Sequence, residues 1–439
     1  MKVLKFGGTS VGSVENMRAV MQLITDGNQK LVVLSAMSGT TNSLVEIANY
    51  LQKKNKDSAR HLISQLEQKY YKVVNDLYTT AGKKENGKTI VADIFQTIKS
   101  FTSGEFNEVG ENTLVAQGEL LSTALFSELM LENGHKTVYL PALDFMKIDS
   151  DKAADLNFIR EKINIVMKHS EAAEYYITQG FICRNDEGNI DNLQRGGSDY
   201  TATLIGAAID AEEVEIWTDI DGFHNNDPRY VENTRKIDQL SFDEAAELAY
   251  FGAKILHPQT VLPAKLQNIP VRLKNTMNPS DPGTLITYES IGQGIKAVAA
   301  KDGITAIKIR SYRMLNAYGF LKNIFEIFEF FKTPIDMIST SEVAVSLTID
   351  NTKHLNEIVS ELKEYGEVEV DTNLTIVCIV GDFIAEETSS ASKVFTAIKE
   401  VPIRMISYGG SRHNISVLVK TELKKQTLQA LSNNLLNAS

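Results

Sequence analysis

Two stretches of the chain set a cation beside paired glycines and hydroxyl residues. In Lys5-Phe6-Gly7-Gly8-Thr9-Ser10 the glycines let backbone come close to an anion and present its N–H groups. A following helix would offer its positive end, and Lys5 can aim a point charge at the same place. The spacing is not that of a P-loop, G-x-x-x-x-G-K-[ST], yet the residue types suit phosphate. Arg195-Gly196-Gly197-Ser198-Asp199 repeats the arrangement. Here the glycines feed a helix that Ser198 can cap, and the Arg195 fork can grip a carboxylate through two parallel hydrogen bonds. A capped helix with a surface arginine would read the same, and the two adjacent glycines favour an anion site.

Other candidates are weaker. Thr218-Asp219-Ile220-Asp221-Gly222 has the look of a calcium loop, but Gly222 comes too early and Tyr230 stands where a closing bidentate Glu belongs. His224 and His257 lie in motif-rich loops without metal-ligand or triad spacing around them, so no protein-held metal is expected.

The elements that must position these residues alternate between strand and helix over the first ~210 residues. Apolar runs at 3–6, 31–34, 136–140, 175–178 and 214–218 read as buried strands, and residues 14–24 carry helical spacing. Gly7 to Ser10, residues 35–42, Gly180-Phe181 and Thr218-Asp219 all fall just past strand ends, the edge where open parallel sheets bind ligands. Between them, Leu62, Leu66, Tyr70, Val73 and Leu77 form one helical stripe and Ile90, Ile94, Ile98 and Phe101 another. Packing on the domain's own core, or forming a lid, is favoured for both over a partner-binding helix pair. A further helix is expected over 112–133, ending at Gly134, and Ser241-Phe242-Asp243-Glu244 opens one that ends near Gly252.

Residues 275–303 are rich in Pro and Gly and read as a boundary. Beyond it Pro334-Ile335-Asp336-Met337-Ile338-Ser339 recurs as Pro402-Ile403-Arg404-Met405-Ile406-Ser407. Each copy follows a strand (305–310, 375–380) and a helix (323–331, 392–399) and leads into another strand (343–349, 415–419). The expected fold is α/β, a mostly parallel open sheet sandwiched by helices, followed by two ferredoxin-like α+β modules.

At 439 residues the chain has room for about three domains. Its net charge of −11 argues against nucleic acid or an anionic membrane as the main partner, so an anion site must be locally basic. Two cysteines, Cys183 and Cys378, exclude a disulfide scaffold. No apolar run approaches a membrane span and the N-terminus lacks a signal-like stretch, so a cytoplasmic protein is expected.

Taken together, these strings resemble the aspartate kinase family within the amino acid kinase fold. The opening Lys5 to Val11, Ser35-Ala36-Met37-Ser38-Gly39-Thr40-Thr41-Asn42, Gly118-Glu119, Arg195 to Asp199 and Phe251-Gly252-Ala253-Lys254-Ile255-Leu256-His257-Pro258 occur in the family's order. The resemblance implies a catalytic domain over 1–290 and a regulatory region over 291–439. That region holds tandem ACT modules at about 305–372 and 373–439, with which 296–303 can interleave. The length leaves no room for the homoserine dehydrogenase joined to some relatives, which implies a monofunctional enzyme.

The implied reaction moves the ATP γ-phosphoryl group to the β-carboxylate of L-aspartate, with Mg²⁺ bridging phosphate oxygens. It is the first step toward lysine, threonine and methionine. An aspartate side chain with a pKa of about 3.9 is already ionised at neutral pH, so the nucleophile needs no general base. The obstacle is repulsion between two anions, and positioned cations and N–H donors answer it.

By the resemblance, Lys5 bridges nucleophile and phosphate, Asp199 organises Lys5, and Gly7, Gly8 and Ser10 line the phosphates. Ser35, Thr41, Glu119, Phe181, Arg195, Gly197 and Ser198 form the aspartate site, with Arg195 and Ser198 on the α-carboxylate and Glu119 facing the ammonium. Glu119 taken alone would read as an exposed helix carboxylate; the small neighbours Gly118, Ser122 and Thr123 allow a ligand close. Thr218, Asp219, Arg229 and Lys254 complete the nucleotide subsite, with His224 where many relatives carry a tyrosine. Met314, Gly319, Phe320, Leu321, Asp336, Ser341 and Glu342 resemble a lysine-sensing pattern, and the modules imply a homodimer.

A kinase for glutamate, acetylglutamate or a carbamate is the alternative within the fold, though such relatives generally lack the ACT tail. A non-catalytic amino-acid sensor is the alternative outside it, and would require a decayed active site.

Overall fold

Val3 to Phe6 and Leu31 to Leu34 are too apolar for half-solvated strands, and both become interior strands of one sheet. The computed structural model describes residues 1–169, 173–193, 196–252, 256–289, 291–292, 294–314 and 318–436 of the chain. The described residues form two compact units: 1–222, 238–242 and 256–289 make the first, and those of 223–237, 243–255 and 290–439 the second.

The strands of the first unit are β1 (Lys2–Phe6), β2 (Lys30–Leu34), β3 (Thr137–Leu140), β4 (Tyr175–Gln179), β5 (Ile182–Arg184), β6 (Ile190–Asn192), β7 (Val214–Thr218), β8 (Gln239–Ser241), β9 (Val271–Asn275) and β10 (Thr284–Thr287). Eight of them form a sheet in the order β3-β4-β2-β1-β7-β9-β10-β8, while β5 and β6 pair separately. Every pairing in the eight-stranded sheet is parallel except β9 with β10. The sheet is therefore mostly parallel, and β1, β2, β4 and β7 present their C-terminal ends along one edge.

The helices are α1 (Val14–Ile24), α2 (Thr40–Gln52), α3 (Lys56–Leu77), α4 (Ala81–Ser100), α5 (Glu108–Glu132), α6 (Leu156–His169), α7 (Gly197–Ala208), α8 (Phe242–Phe251) and α9 (Pro258–Leu266). From Asp243 onward α8 belongs to the second unit. Leu66, Tyr70, Val73 and Leu77 of α3 and Ile98 of α4 share one core with Leu4 and Phe6, and Leu62, Ile90, Ile94 and Phe101 pack at its rim. The two stripes thus face their own domain. α5 has no single apolar stripe, because it is buried on several sides; it is long and apolar enough to cross a membrane, but 78% of its most apolar window is buried inside the protein, as in a core helix.

The second unit holds β11 (Gly294–Arg310), α10 (Phe320–Phe330), β12 (Ile338–Thr340), β13 (Ala344–Ile349), α11 (Leu355–Leu362), β14 (Glu367–Asp382), α12 (Ser390–Ala397), β15 (Met405–Tyr408), β16 (Asn414–Lys420) and α13 (Lys424–Leu431). Its antiparallel sheet runs β12-β13-β11-β14-β16-β15. β11 and β14 are far longer than the strands expected at 305–310 and 375–380, because each serves both repeats. The second half of β11 joins Phe320, Ile324, Val345, Leu347, Ile358 and Leu362 in one core, and its first half supplies Val298 to another with Val377, Val394 and Val417. Gly303, at φ +78°, lets the strand bulge between Lys301 and Ile304 instead of ending.

The register is symmetric about the pair Ile304 and Leu374: Lys301 faces Ile376 as Ala306 faces Asp371. Likewise Thr305 faces Ile349 on β13 as Thr375 faces Val419 on β16. The sequence repeat therefore corresponds to a pseudo-twofold axis through the middle of the sheet.

Candidate active site

Lys5 is the next-to-last residue of β1, and its ammonium lies 2.7 Å from Oδ1 of Asp199 in the first turn of α7. Both side chains are largely buried, at 11% and 13% exposure. A carboxylate in a first helical turn is favoured by the helix's positive end, so Asp199 is a fixed anchor for the cation. Above Lys5 the chain turns at Gly7, where an added Cβ would stand 3.5 Å from the lysine Nζ. Gly8 lies hard against the next loop, with the place of its Cβ only 3.0 Å from the Ala36 carbonyl oxygen, and its own carbonyl accepts the Ser38 N–H.

α1 begins at Val14, as the spacing over 14–24 predicts, and Ser13 caps it by accepting the Asn16 N–H at 3.2 Å, several residues past the glycines. One expectation for the second glycine loop needs correction: Ser198 does not cap α7, because Gly196, at φ +72°, is the N-cap residue and Ser198 lies inside the first turn. Its hydroxyl instead takes a hydrogen bond from the Ser35 hydroxyl at 2.9 Å. Ser10 is 1% exposed, and its hydroxyl pairs with that of Thr276 at 2.6 Å, which directs it to the β9 end of the site.

The ends of β2 and β4 close around this pair. The Ser35 carbonyl accepts the Ser122 hydroxyl of α5 at 2.7 Å. Gly180 touches Ser198 so closely that a Cβ would sit 2.5 Å from its Oγ, and a Cβ on Gly197 would sit 2.5 Å from the Phe181 ring. Phe181 itself holds φ +70°, fixed by its N–H on the Thr201 hydroxyl at 2.9 Å. On α2, Thr40 is buried and shares a 2.8 Å hydrogen bond with the Tyr70 hydroxyl of α3, which seats the helix start that carries Thr41.

Glu119 is not an exposed helix carboxylate; it is 3% exposed on α5. Its Oε1 accepts the Ala36 N–H at 3.3 Å, and its Oε2 is buried without a hydrogen-bond partner. Burial pushes its pKa up to about 7, against the pull of the Ala36 N–H. A buried carboxylate oxygen with no donor is suited to receive a ligand's ammonium.

β7 ends in the same row: Thr218 donates its hydroxyl to Asp219 at 3.1 Å and accepts the Thr276 N–H at its carbonyl. Arg195 and Lys254 lie outside the described residues. His224 and Arg229 belong to the second unit. There the His224 Nδ1 lies 3.3 Å from the Thr234 hydroxyl, and Arg229, 77% exposed, pairs with Asp227 at 2.7 Å.

Of the residues expected to sense an amino acid, Gly319 caps α10 at φ +84°, Phe320 is buried against Tyr365, Met314 packs on the same core and Leu321 is exposed. Ser341 and Glu342 lie in the exposed turn before β13, where the Ser341 N–H donates to Ala344. Asp336 is buried and already engaged, by Lys301 at 2.7 Å and the Tyr250 hydroxyl at 2.8 Å.

Three supporting residues have no motif of their own. Thr276 and Tyr70 act through the hydroxyl pairs above. Gln179, buried at the end of β4, accepts the Ala142 N–H and donates to the hydroxyls of Thr123 and Tyr139. An amide ending a run of buried residues just before Gly180 is the one sequence sign of it.

A profile of the amino acid kinase family matches residues 1–275, and one of the ACT domain matches residues 377–435. The chain is 33% identical over 446 residues to the lysine-sensitive aspartokinase 3 of Escherichia coli, covering 99% of this chain and 98% of the relative. Its structure resembles that of E. coli aspartokinase III in complex with aspartate and ADP, the R-state, with a TM-score of 0.83, 32% identity, and 99% and 100% of the two chains covered. Against the same enzyme with lysine and aspartate, the T-state, the TM-score is 0.81 at 32% identity, with 99% of each chain covered.

Proposed function

The chain belongs to the amino acid kinase family and, within it, to the aspartokinases, and on that footing we propose how its residues carry the reaction. It is an aspartate kinase, transferring the γ-phosphoryl group of ATP to the β-carboxylate of L-aspartate to give 4-phospho-L-aspartate. Residues 1–290 serve catalysis and 291–439 regulation.

Lys5 stands between the acceptor carboxylate and the transferring phosphoryl group, and Asp199 holds it there without taking a proton. The acceptor is already an anion, so the protein's task is to lower the repulsion between reactants. Gly7 and Gly8 bring backbone N–H groups to the phosphates, helped by Ser10. Arg195 and Ser198, with Ser35, Thr41, Phe181 and Gly197, hold aspartate, and Glu119 receives its ammonium. Thr218, Asp219, His224, Arg229 and Lys254 hold the nucleotide. Mg²⁺ would accompany ATP and, when bound, would offset the charge of the phosphates as they approach the acceptor carboxylate.

L-Lysine is the effector of this reading, bound by the first ACT module around Met314, Gly319, Phe320, Leu321, Asp336, Ser341 and Glu342. The enzyme works as a cytoplasmic homodimer.

One observation carries the catalytic reading: the Lys5–Asp199 pair sits at the strand edge among Ser35, Gly7, Gly8 and Ser198. The test is a substrate panel with ATP, Mg²⁺ and hydroxylamine, which traps an acyl phosphate as a hydroxamate. Aspartate should give product, and glutamate and acetylglutamate little. Product from glutamate alone, or from none of the three, would contradict it.

A further inference from the structure

The stretch 223–237 packs with the C-terminal part of the chain, and it carries two residues assigned above to the nucleotide, His224 and Arg229. The first half of β11 pairs with β14, but the Val298 N–H does not enter that ladder; it donates to the Asn225 carbonyl at 2.9 Å. Val231 joins the apolar core that Val298 shares with Leu428 and Leu431 of α13. Val298 is accordingly 2% exposed, while Val368, its counterpart across the pseudo-twofold axis, is only partly buried. The repeat itself does not supply this cover; the docked stretch does.

From α13 a continuous run of hydrogen bonds reaches the Arg229 guanidinium. Asn226 is 3% exposed; its Nδ2 donates to the Leu428 carbonyl at 3.2 Å and its Oδ1 accepts the Asp227 N–H at 2.8 Å. Asp227 Oδ1 accepts the Arg229 backbone N–H and Nε–H, both at 2.9 Å, and its Oδ2 accepts Nη2 at 2.7 Å. Arg229 is 77% exposed, so this bidentate pairing is what gives a solvent-facing fork a fixed direction.

The next residue is held from the same helix. The Lys424 ammonium stands 4.1 Å from the centroid of the Tyr230 ring, and the Gln429 side-chain amide donates to the Tyr230 carbonyl at 3.3 Å. Lys424 is buried and fixed by Asp302 of β11 at 2.7 Å. A buried ammonium and a buried amide are costly unless each is paired, and here the partners of both lie beneath the loop that presents Arg229.

We propose that α13 and β11 of the second regulatory module form the floor of the nucleotide loop, with Asn226, Tyr230 and Lys424 as positioning residues that set His224 and Arg229 for ATP. The three act through the backbone of 224–229 rather than on the nucleotide. The inference rests on the nucleotide role proposed above for His224 and Arg229. It involves no effector: the module serves ATP binding in the uninhibited enzyme.

Lys424→Met keeps the stem and removes the charge from the Tyr230 ring, and Lys424→Arg restores a cation that can stack there. Asn226→Ala breaks the run from Leu428 to Asp227. With ATP and aspartate varied separately, Lys424→Met and Asn226→Ala should each raise KM for ATP about three- to ten-fold, the range of one lost hydrogen bond. KM for aspartate and kcat should hold, and Lys424→Arg should stay near the wild type. Calorimetric titration with ADP and Mg²⁺, without aspartate, should show the same loss of affinity. An unchanged KM for ATP in folded Lys424→Met, equal rises in both KM values, or no recovery in Lys424→Arg would overturn the proposal. Should Lys424→Met not fold, Tyr230→Leu removes the ring instead and the same split between the two KM values decides. Arg229→Ala tests the reading underneath. If it leaves KM for ATP unchanged while Lys424→Met raises it, the assignment of Arg229 fails and the positioning of the loop stands.

Discussion

The Lys5 ammonium and the Asp199 carboxylate, 2.7 Å apart, join the end of the central strand β1 to the first turn of α7. Each residue fixes the other, and neither is exposed enough to wander; on the reading proposed above, this is where the two anionic substrates meet. Asp199→Asn keeps the shape and removes the counter-charge. We expect kcat to fall about ten- to a hundred-fold, the equivalent of a lost charge-assisted contact of ~1.5–3 kcal/mol, with KM for aspartate changing less. Steady-state kinetics on the purified variant check this; a larger change in KM than in kcat would mean that Asp199 binds substrate.

Gly180 has no room for a side chain, because Ser198 fills it. Gly180→Ala should push the Ser198 hydroxyl off Ser35 and raise KM for aspartate by more than Ser198→Ala. For Ser198→Ala we expect a rise of about two- to ten-fold, as for one neutral hydrogen bond. Comparing the two KM values and melting temperatures decides it: a milder effect from Gly180→Ala would contradict the packing argument.

Glu119 gives the protein a pH dependence of known sign. Its pKa of about 7 in the folded chain lies above the ordinary 4.5, so the folded state binds the proton more tightly than the unfolded one. The ligand-free protein should therefore lose stability as pH rises from about 4.5 through 7, by on the order of 3 kcal/mol once the group is fully ionised. Glu119→Gln should remove that part of the slope in denaturant melts. Aspartate's ammonium favours the ionised form, so KM for aspartate should fall as pH rises through about 7, with a proton released on binding. Calorimetry in two buffers of different ionisation enthalpy measures that proton, and an unchanged slope in Glu119→Gln would assign the pH effect elsewhere.

Much of this arrangement is legible in the residues. Strands buried on both faces announce themselves as continuous apolar runs, and the glycine and hydroxyl clusters after Phe6, Leu34, Gln179 and Thr218 mark the C-terminal edge of the strands before any topology is known. Ser198 misled because a serine after two glycines looks like a cap, whereas the left-handed Gly196 starts the helix and frees the hydroxyl for Ser35, far away in sequence. Glu119 on its own would read as an exposed helix carboxylate, because α5 has no polar face to announce its burial, and only its small neighbours point to a ligand. The repeat in the C-terminal half was visible, but the sharing of β11 and β14 between its copies was not. A glycine such as Gly303 reads as a break in sequence and serves as a bulge in a continuous strand. The partners of Asp336 were equally hidden, because Lys301 and Tyr250 meet it only through tertiary packing.

The central claim is that the Lys5 side chain carries catalysis by holding two anions together. The direct measurement is hydroxylamine trapping of the acyl phosphate with Lys5→Met, alongside circular dichroism and a thermal melt. We expect a folded protein, unshifted by more than a few degrees, whose hydroxamate yield from ATP and aspartate is at background. A folded variant that still makes hydroxamate near the wild-type rate would show that the charge on residue 5 is dispensable, and the mechanism drawn from it would be wrong.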